Sequence, residues 1–187
     1  MPEFTYDFDP VDQITVGAVG QPGQRTFYLQ ARRGRSQISF VVEKEQVGAL
    51  ADAVEQLLES LAEKNPLLST SEDMIAFANM DLREPLEEAF RVGQLGLGYD
   101  EGRDLLIIIA QELGGRSDDE EANEGEAERL ETARLTFRRE QGRALAQRGN
   151  EAVTKGRPRC PQCGEPMNPE GHFCPKRNGH RVEAVEG

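Results

Sequence analysis

The sequence predicts an α+β protein: two βββα units with an antiparallel sheet, fused about a pseudo-twofold axis and followed by a small C-terminal module. Three observations predict it. Runs of β-branched and aromatic residues are followed, twice and in the same order, by a stretch with helical spacing. Ile38 to Ala51 aligns with Ala133 to Ala146 with five identities in fourteen: Glu45/Glu140, Gln46/Gln141, Ala49/Ala144, Leu50/Leu145 and Ala51/Ala146. All three Cys and both His fall within the 21 positions from Cys160 to His180.

The first unit spans residues 1–65. Ile14 to Val19 is β-branched, and Gln21 to Gln24 is turn chemistry with Pro22 beside Gly23. Thr26 to Ala31 is a second strand, Arg32 to Arg35 a second turn, and Gln37 to Val42 a third strand. The period then changes. Val47, Leu50, Ala51, Val54, Leu57, Leu58 and Leu61 fall at steps of three and four, which puts one apolar stripe on a helix from Lys44 to Lys64. Asn65-Pro66 ends it.

A connector, 66–88, carries Met74, Ile75, Phe77 and Met80 among acids and is expected to hold one short helix. The second unit, 89–156, repeats the order with Phe90 to Leu97, Asp104 to Ala110, Ala133 to Phe137 and a helix from Arg139 to Lys155. Val16-Gly17 aligns with Val92-Gly93, an offset of 76 that rises to 79 at the second strand and 95 at the helix. Both increases fall between strands, where insertions are tolerated. The larger one is an acidic loop, 114–128. Seven of the eleven residues from Asp118 to Glu128 are acidic, so it has nothing to bury and reads as a solvated loop. Where the first helix has Val54, Leu57 and Leu61, the second has Gly149, Ala152 and Gly156, small residues that let a partner element approach closely.

Composition excludes several classes. The chain has 187 residues, 37% of them hydrophobic, and counting Gly in place of Tyr lifts that to about 45%, ordinary for a globular protein. The longest apolar run is Leu105 to Ala110, far short of the ~20 residues of a membrane-spanning helix. The acidic start, with no apolar stretch behind it, does not read as a signal peptide, so a cytoplasmic protein is expected.

The chemistry lies in the tail, 157–187. Cys160-Pro-Gln-Cys163-Gly164 is a knuckle that bends two thiolates toward one centre, and Gly171-His172-Phe173-Cys174-Pro175 follows. Soft S/N donors select tetrahedral zinc, so this is read as a structural Zn2+ site with Cys160, Cys163 and Cys174 as three ligands. A redox Cys-x-x-Cys pair is the rival, but it wants its first Cys at a helix N-terminus, and here Pro161 and Gly164 bracket a loop. His172 and His180 compete for the fourth place: residues i and i+2 of an extended segment share a face, which suits His172, while His180 can close a second knuckle.

No catalytic motif appears: no nucleophile elbow, phosphate loop or dinucleotide fingerprint. The remaining candidates are carboxylates such as Asp7, Asp9 and Asp100, the alternative being an enzyme that acts on a phosphorylated metabolite through them. Acids are 34 of 187 residues, however, and Asp7 and Asp9 read more simply as a solvated strand face or a turn cap. No enzyme is expected. Between Lys155 and Arg181 six Lys/Arg face two Glu, a local +4 on a chain of net charge −12. The overall charge repels a phosphate backbone, so a nucleic-acid partner is disfavoured. A protein partner is expected instead, with the chain as an adaptor or regulatory subunit offering exposed sheet edges for pairing.

Tyr6 to Pro10, Val16 to Ala31, Phe90 to Asp100 and the closing Cys-Pro-x-Cys…Gly-His-x-Cys-Pro together resemble an uncharacterised bacterial domain family found mostly in high-GC lineages. The resemblance runs over nearly the whole chain and implies no assigned activity. In that family the position of His172 holds His while that of His180 is often aromatic. The resemblance therefore implies Cys160, Cys163, His172 and Cys174 as the ligand set.

Overall fold

A computed structural model of the chain describes residues 3–21, 23–64, 80–114, 129–155, 160–165, 172–177 and 181–182. The first half holds β1 (Tyr6–Phe8), β2 (Gln13–Val19), β3 (Thr26–Arg33), β4 (Ser36–Val42) and α1 (Lys44–Lys64). The second holds β5 (Glu88–Asp100), β6 (Leu105–Glu112), β7 (Thr132–Phe137) and α2 (Arg139–Thr154), and the tail adds β8 (His172–Phe173) and β9 (Arg181–Val182). The short helix expected in the connector and most of the acidic loop lie outside the described residues. Among the described residues, no helix is long and apolar enough to cross a membrane.

Seven strands form one sheet in the order β1-β7-β6-β5-β4-β3-β2. It is mixed, which corrects the antiparallel sheet expected from the sequence. β2-β3-β4 and β5-β6-β7 are antiparallel meanders, but β4 pairs with β5, and β1 with β7, in parallel. The reason is connectivity: helix α1 and the connector carry the chain back to the end of the sheet where β4 began, so β5 sets out in the same direction.

The sheet curls on itself. The chain between β1 and β2 bridges its two ends: Val11 N–H donates to Thr136 C=O on β7, and Asp12 N–H donates to Arg32 C=O on β3, both at 2.8 Å. Tyr6 on β1 consequently meets Phe40 on β4 and Phe90 on β5 across the interior, with ring centroids 6.4 and 6.2 Å apart. Inward residues of both halves, among them Ile14, Leu29, Phe40, Leu106, Ile108 and Leu135, build a single core.

Strands β2 to β4 are buried almost without a break, polar residues included, because both faces are covered. Phe27, Leu29 and Ala31 point into the core. On the other face, Gln30 acts as an extra peptide group for the segment after Met80, donating to Arg83 C=O and accepting from Arg83 N–H, each at 2.9 Å. Thr15 donates its hydroxyl to Met80 C=O on that same face.

Both helices follow the same rule. Gln46 Oε1 accepts the Glu43 N–H at 2.8 Å, and Gln141 Oε1 accepts the Arg138 N–H at 2.9 Å, each closing the start of its helix. Their amide nitrogens then reach the opposite half: Gln46 donates to Val92 C=O at 3.2 Å, and Gln141 to Asp12 C=O at 3.0 Å. This gives a physical role to one of the five identities seen in the sequence. At the other end of α2, Arg25 donates to the carbonyls of Ala152 and Lys155, which have no partner within the helix.

The helices pack on each other through the small residues of α2. A Cβ added at Gly149 would lie 3.2 Å from Ala51 Cβ and 3.5 Å from Val47, and one at Gly142 would lie 3.4 Å from Val54. The close approach expected from those residues is present. The contacts are also reciprocal: with the helix offset of 95, Val47 corresponds to Gly142 and Val54 to Gly149.

Strand registers can be compared in the same way. Phe27 pairs with Val42 and Leu106 with Phe137, so offsets of 79 and 95 carry one ladder onto the other. The first strands need a correction. Val16 pairs with Leu29 and Leu97 with Ile108, which gives 81 and not 76. Val92-Gly93 misled the alignment because it lies at the point where the β5–β6 register shifts, ahead of the regular ladder.

Candidate metal centre

The tail builds its own small cluster around Cys160 and Cys174, with Cys163 packed against them. The first arm is a tight turn. Cys160 N–H donates to Glu165 C=O and Gly164 N–H to Cys160 C=O, both at 2.8 Å, so Cys160 and Glu165 close a loop around Pro161 and Gln162. Gly164 takes φ +77°, a conformation that residues with a Cβ rarely adopt. The first Cys thus opens a turn and no helix, which removes the context that a redox pair would want.

The second arm is a short antiparallel pair in which His172 lies opposite Val182 and Phe173 opposite Arg181. His172 and Cys174, two positions apart on an extended segment, face the same way, as their spacing predicts. The four donor atoms, Cys160 Sγ, Cys163 Sγ, Cys174 Sγ and a His172 ring nitrogen, all lie within 4.8 Å of one another. His180, the rival for the fourth place, lies outside the described residues.

Two distances test whether this set can hold a metal ion. Cys160 Sγ and Cys174 Sγ are 3.8 Å apart, and Cys163 Sγ is 3.6 Å from His172 Nε2. A tetrahedron with metal–sulfur bonds of about 2.3 Å and a metal–nitrogen bond of about 2.05 Å has edges of about 3.8 Å (S–S) and about 3.6 Å (S–N). The observed edges match. They are far from the ~2.05 Å of a disulfide, and all three thiols are free. The residues therefore fit a four-coordinate metal ion.

The local electrostatics favour a thiolate. Burial opposes ionisation of Cys160, but the backbone N–H of Cys163 and the His172 side chain outweigh it and hold the thiol down at about 6. Cys163 is pushed up, first by burial and then by the neighbouring sulfurs. A cation among the sulfurs relieves that mutual repulsion.

The carboxylates singled out in the sequence are engaged elsewhere. Asp7 grips Arg134 with both oxygens, at 2.9 and 2.6 Å, and Asp9 grips Arg103 at 2.8 and 2.6 Å while accepting the Thr136 hydroxyl. Asp100 accepts the Arg103 N–H at 3.1 Å and fastens the β5–β6 turn. The Arg103 guanidinium holds Asp9 down at about 2, so this carboxyl stays ionised and carries no proton to donate. A second network joins Tyr99, Asp104 and Arg139: the Tyr99 hydroxyl donates to Asp104 at 2.6 Å and Arg139 to Asp104 at 2.6 Å. Sequence reasoning missed both sets of partners. Asp9 and Arg103 are 94 positions apart and Asp7 and Arg134 are 127, so no local spacing announces them.

The closing motif and the strands now have their places, and a family profile described as Protein of unknown function (DUF3090) matches residues 6–174. The chain belongs to that family. The matched span begins at the first residue of β1 and ends on Cys174, so it takes in the whole sheet and all four residues of the cluster. No curated protein and no solved structure matches the chain.

Proposed function

We propose that this chain is a non-enzymatic adaptor or regulatory subunit that binds a protein partner, and that its tail is stapled by one structural Zn2+. The observation that carries the proposal is the closed donor set: three sulfurs and one nitrogen at tetrahedral spacing. Such a set selects zinc and leaves no open position for substrate or water. The engagement of Asp7, Asp9 and Asp100 in ion pairs and a turn supports the same reading, since paired carboxylates make poor acid–base catalysts.

The reciprocal helix contacts and the matched registers of β3/β4 and β6/β7 support reading the two βββα halves as copies of one unit related by a twofold axis. In such a protein the tail, like β1, occurs once and breaks the symmetry, and it is the natural place for specificity.

The test is capture of partners from the native lysate with the full metal-loaded chain, repeated after nuclease treatment and at raised salt. A set of bound proteins that survives both supports the adaptor. One that vanishes with nuclease, or falls steeply with salt as counterion release demands, makes the tail a nucleic-acid module instead.

A further inference from the structure

Three large apolar side chains stand exposed among the described residues: Val19 at 47%, Leu113 at 54% and Phe173 at 74%. Val19 and Leu113 lie at strand ends. Phe173 lies between His172 and Cys174, two of the four clustered residues, on a strand paired with Arg181–Val182. It takes no part in the small buried cluster of the tail, which among the described residues consists of cysteines. An aromatic ring that the module does not use to fold, fixed on both sides by residues that a metal would clamp, is pre-organised for a partner. Little conformational freedom is left to lose when it is buried.

The net charge of the segment that carries it defines that partner. The segment from Lys155 to Arg181 carries six Lys/Arg against two Glu on a chain whose net charge is −12. Lys176 is exposed, and the strand register sets Arg181 opposite Phe173. A single exposed ring in a segment of net positive charge is the pattern of an interface anchor, in which one aromatic fills a pocket and rim charges steer the approach. Single-strand nucleic-acid grooves stack successive bases on several rings and neutralise many phosphates, and this segment has one ring. The acidic body of the same chain does not cover Phe173, given its exposure.

We propose that Phe173 is the anchor by which the metal-held tail docks an acidic protein segment bearing an apolar side chain. This rests on the protein-binding reading above and names its surface and its partner chemistry. The probe is a displayed library of random twelve-residue peptides, selected on the full zinc-loaded chain and counter-selected on Phe173→Ala. The variant is first checked for an unchanged metal content. The expected result is enrichment of Asp/Glu-rich peptides with one large apolar residue. Made synthetically, they should bind Phe173→Ala at least about tenfold more weakly than the wild type, with binding restored by Phe173→Trp.

Enriched peptides that bind wild type and Phe173→Ala equally overturn the anchor while leaving the protein-binding reading standing. Failure to enrich any peptide, with a labelled twelve-nucleotide oligo-U bound in a Phe173-dependent way, overturns both. Failure of both probes, or a chain that dimerises through Phe173 in sedimentation, likewise overturns the proposal.

Discussion

Asp9 shows how this protein handles its acidity at the scale of one residue. Its carboxylate is held by Arg103, helped by Thr136 and Arg134, and its folded pKa of about 2 lies below the ordinary carboxylate value of 3.8. Because the folded value is the lower one, the pairing contributes its full stability above pH 4, and that contribution is lost as the pH falls from there through about 2. Titration of the Asp9 carboxyl carbon by NMR should give a midpoint near 2; a midpoint near 4 would show that the Arg103 contact does not form in solution. Two glycines make opposite predictions. A Cβ on Gly93 would lie 2.8 Å from the Leu113 Cα, a backbone atom that cannot turn aside, whereas one on Gly48 in α1 meets nothing within 4 Å. Urea unfolding should find Gly93→Ala destabilised by about 1–3 kcal/mol and Gly48→Ala stabilised by up to about 1 kcal/mol. Equal effects at the two sites would mean that β5 can relax where its register with β6 shifts.

At the scale of elements, what could be read from the sequence was whatever its own residues decide. The stripe of α1 depends on spacing alone, and the helix runs from Lys44 to Lys64 as that spacing predicts. The Cys160 knuckle is equally local, since Gly164 supplies the positive φ that closes it. The strand β1 was visible only as a possible strand face at Asp7 and Asp9, because three residues hold no period, and its place was not, because it pairs with β7, more than 120 positions away. The parallel β4–β5 pair was missed because a crossover sets it, not the strands themselves. Gln46 and Gln141 were visible as identities, but their purpose was not, because each reaches the other half of the sheet. Substituting either by Ala should cost about 1–2 kcal/mol, for a lost cap and a lost hydrogen bond. Similar losses at the two sites are expected if the halves are copies; a loss confined to one, measured by chemical unfolding, would count against that reading. In the tail, His172→Ala should lose the metal while His180→Ala keeps it. Metal analysis giving the reverse would move the fourth ligand to His180.

Considered whole, the described residues fall into a curled sheet with one shared core and a tail whose buried cluster is built on Cys160, Cys163 and Cys174. The sheet has its own apolar interior, whereas a short tail that holds an ion would depend on that ion for folding free energy. Chelation should therefore collapse the amide signals of residues 160–182 in a heteronuclear NMR spectrum and leave those of β2 to β7 in place. Loss of both together would mean that the metal supports the entire fold. X-ray absorption at the zinc edge of the chain purified without chelator is the sharpest test of a closed, structural metal centre. The expected result is one zinc per chain with three sulfurs at about 2.3 Å, one nitrogen at about 2.0–2.1 Å and no oxygen neighbour. A zinc content well below one equivalent, or an oxygen in the coordination shell, would contradict it.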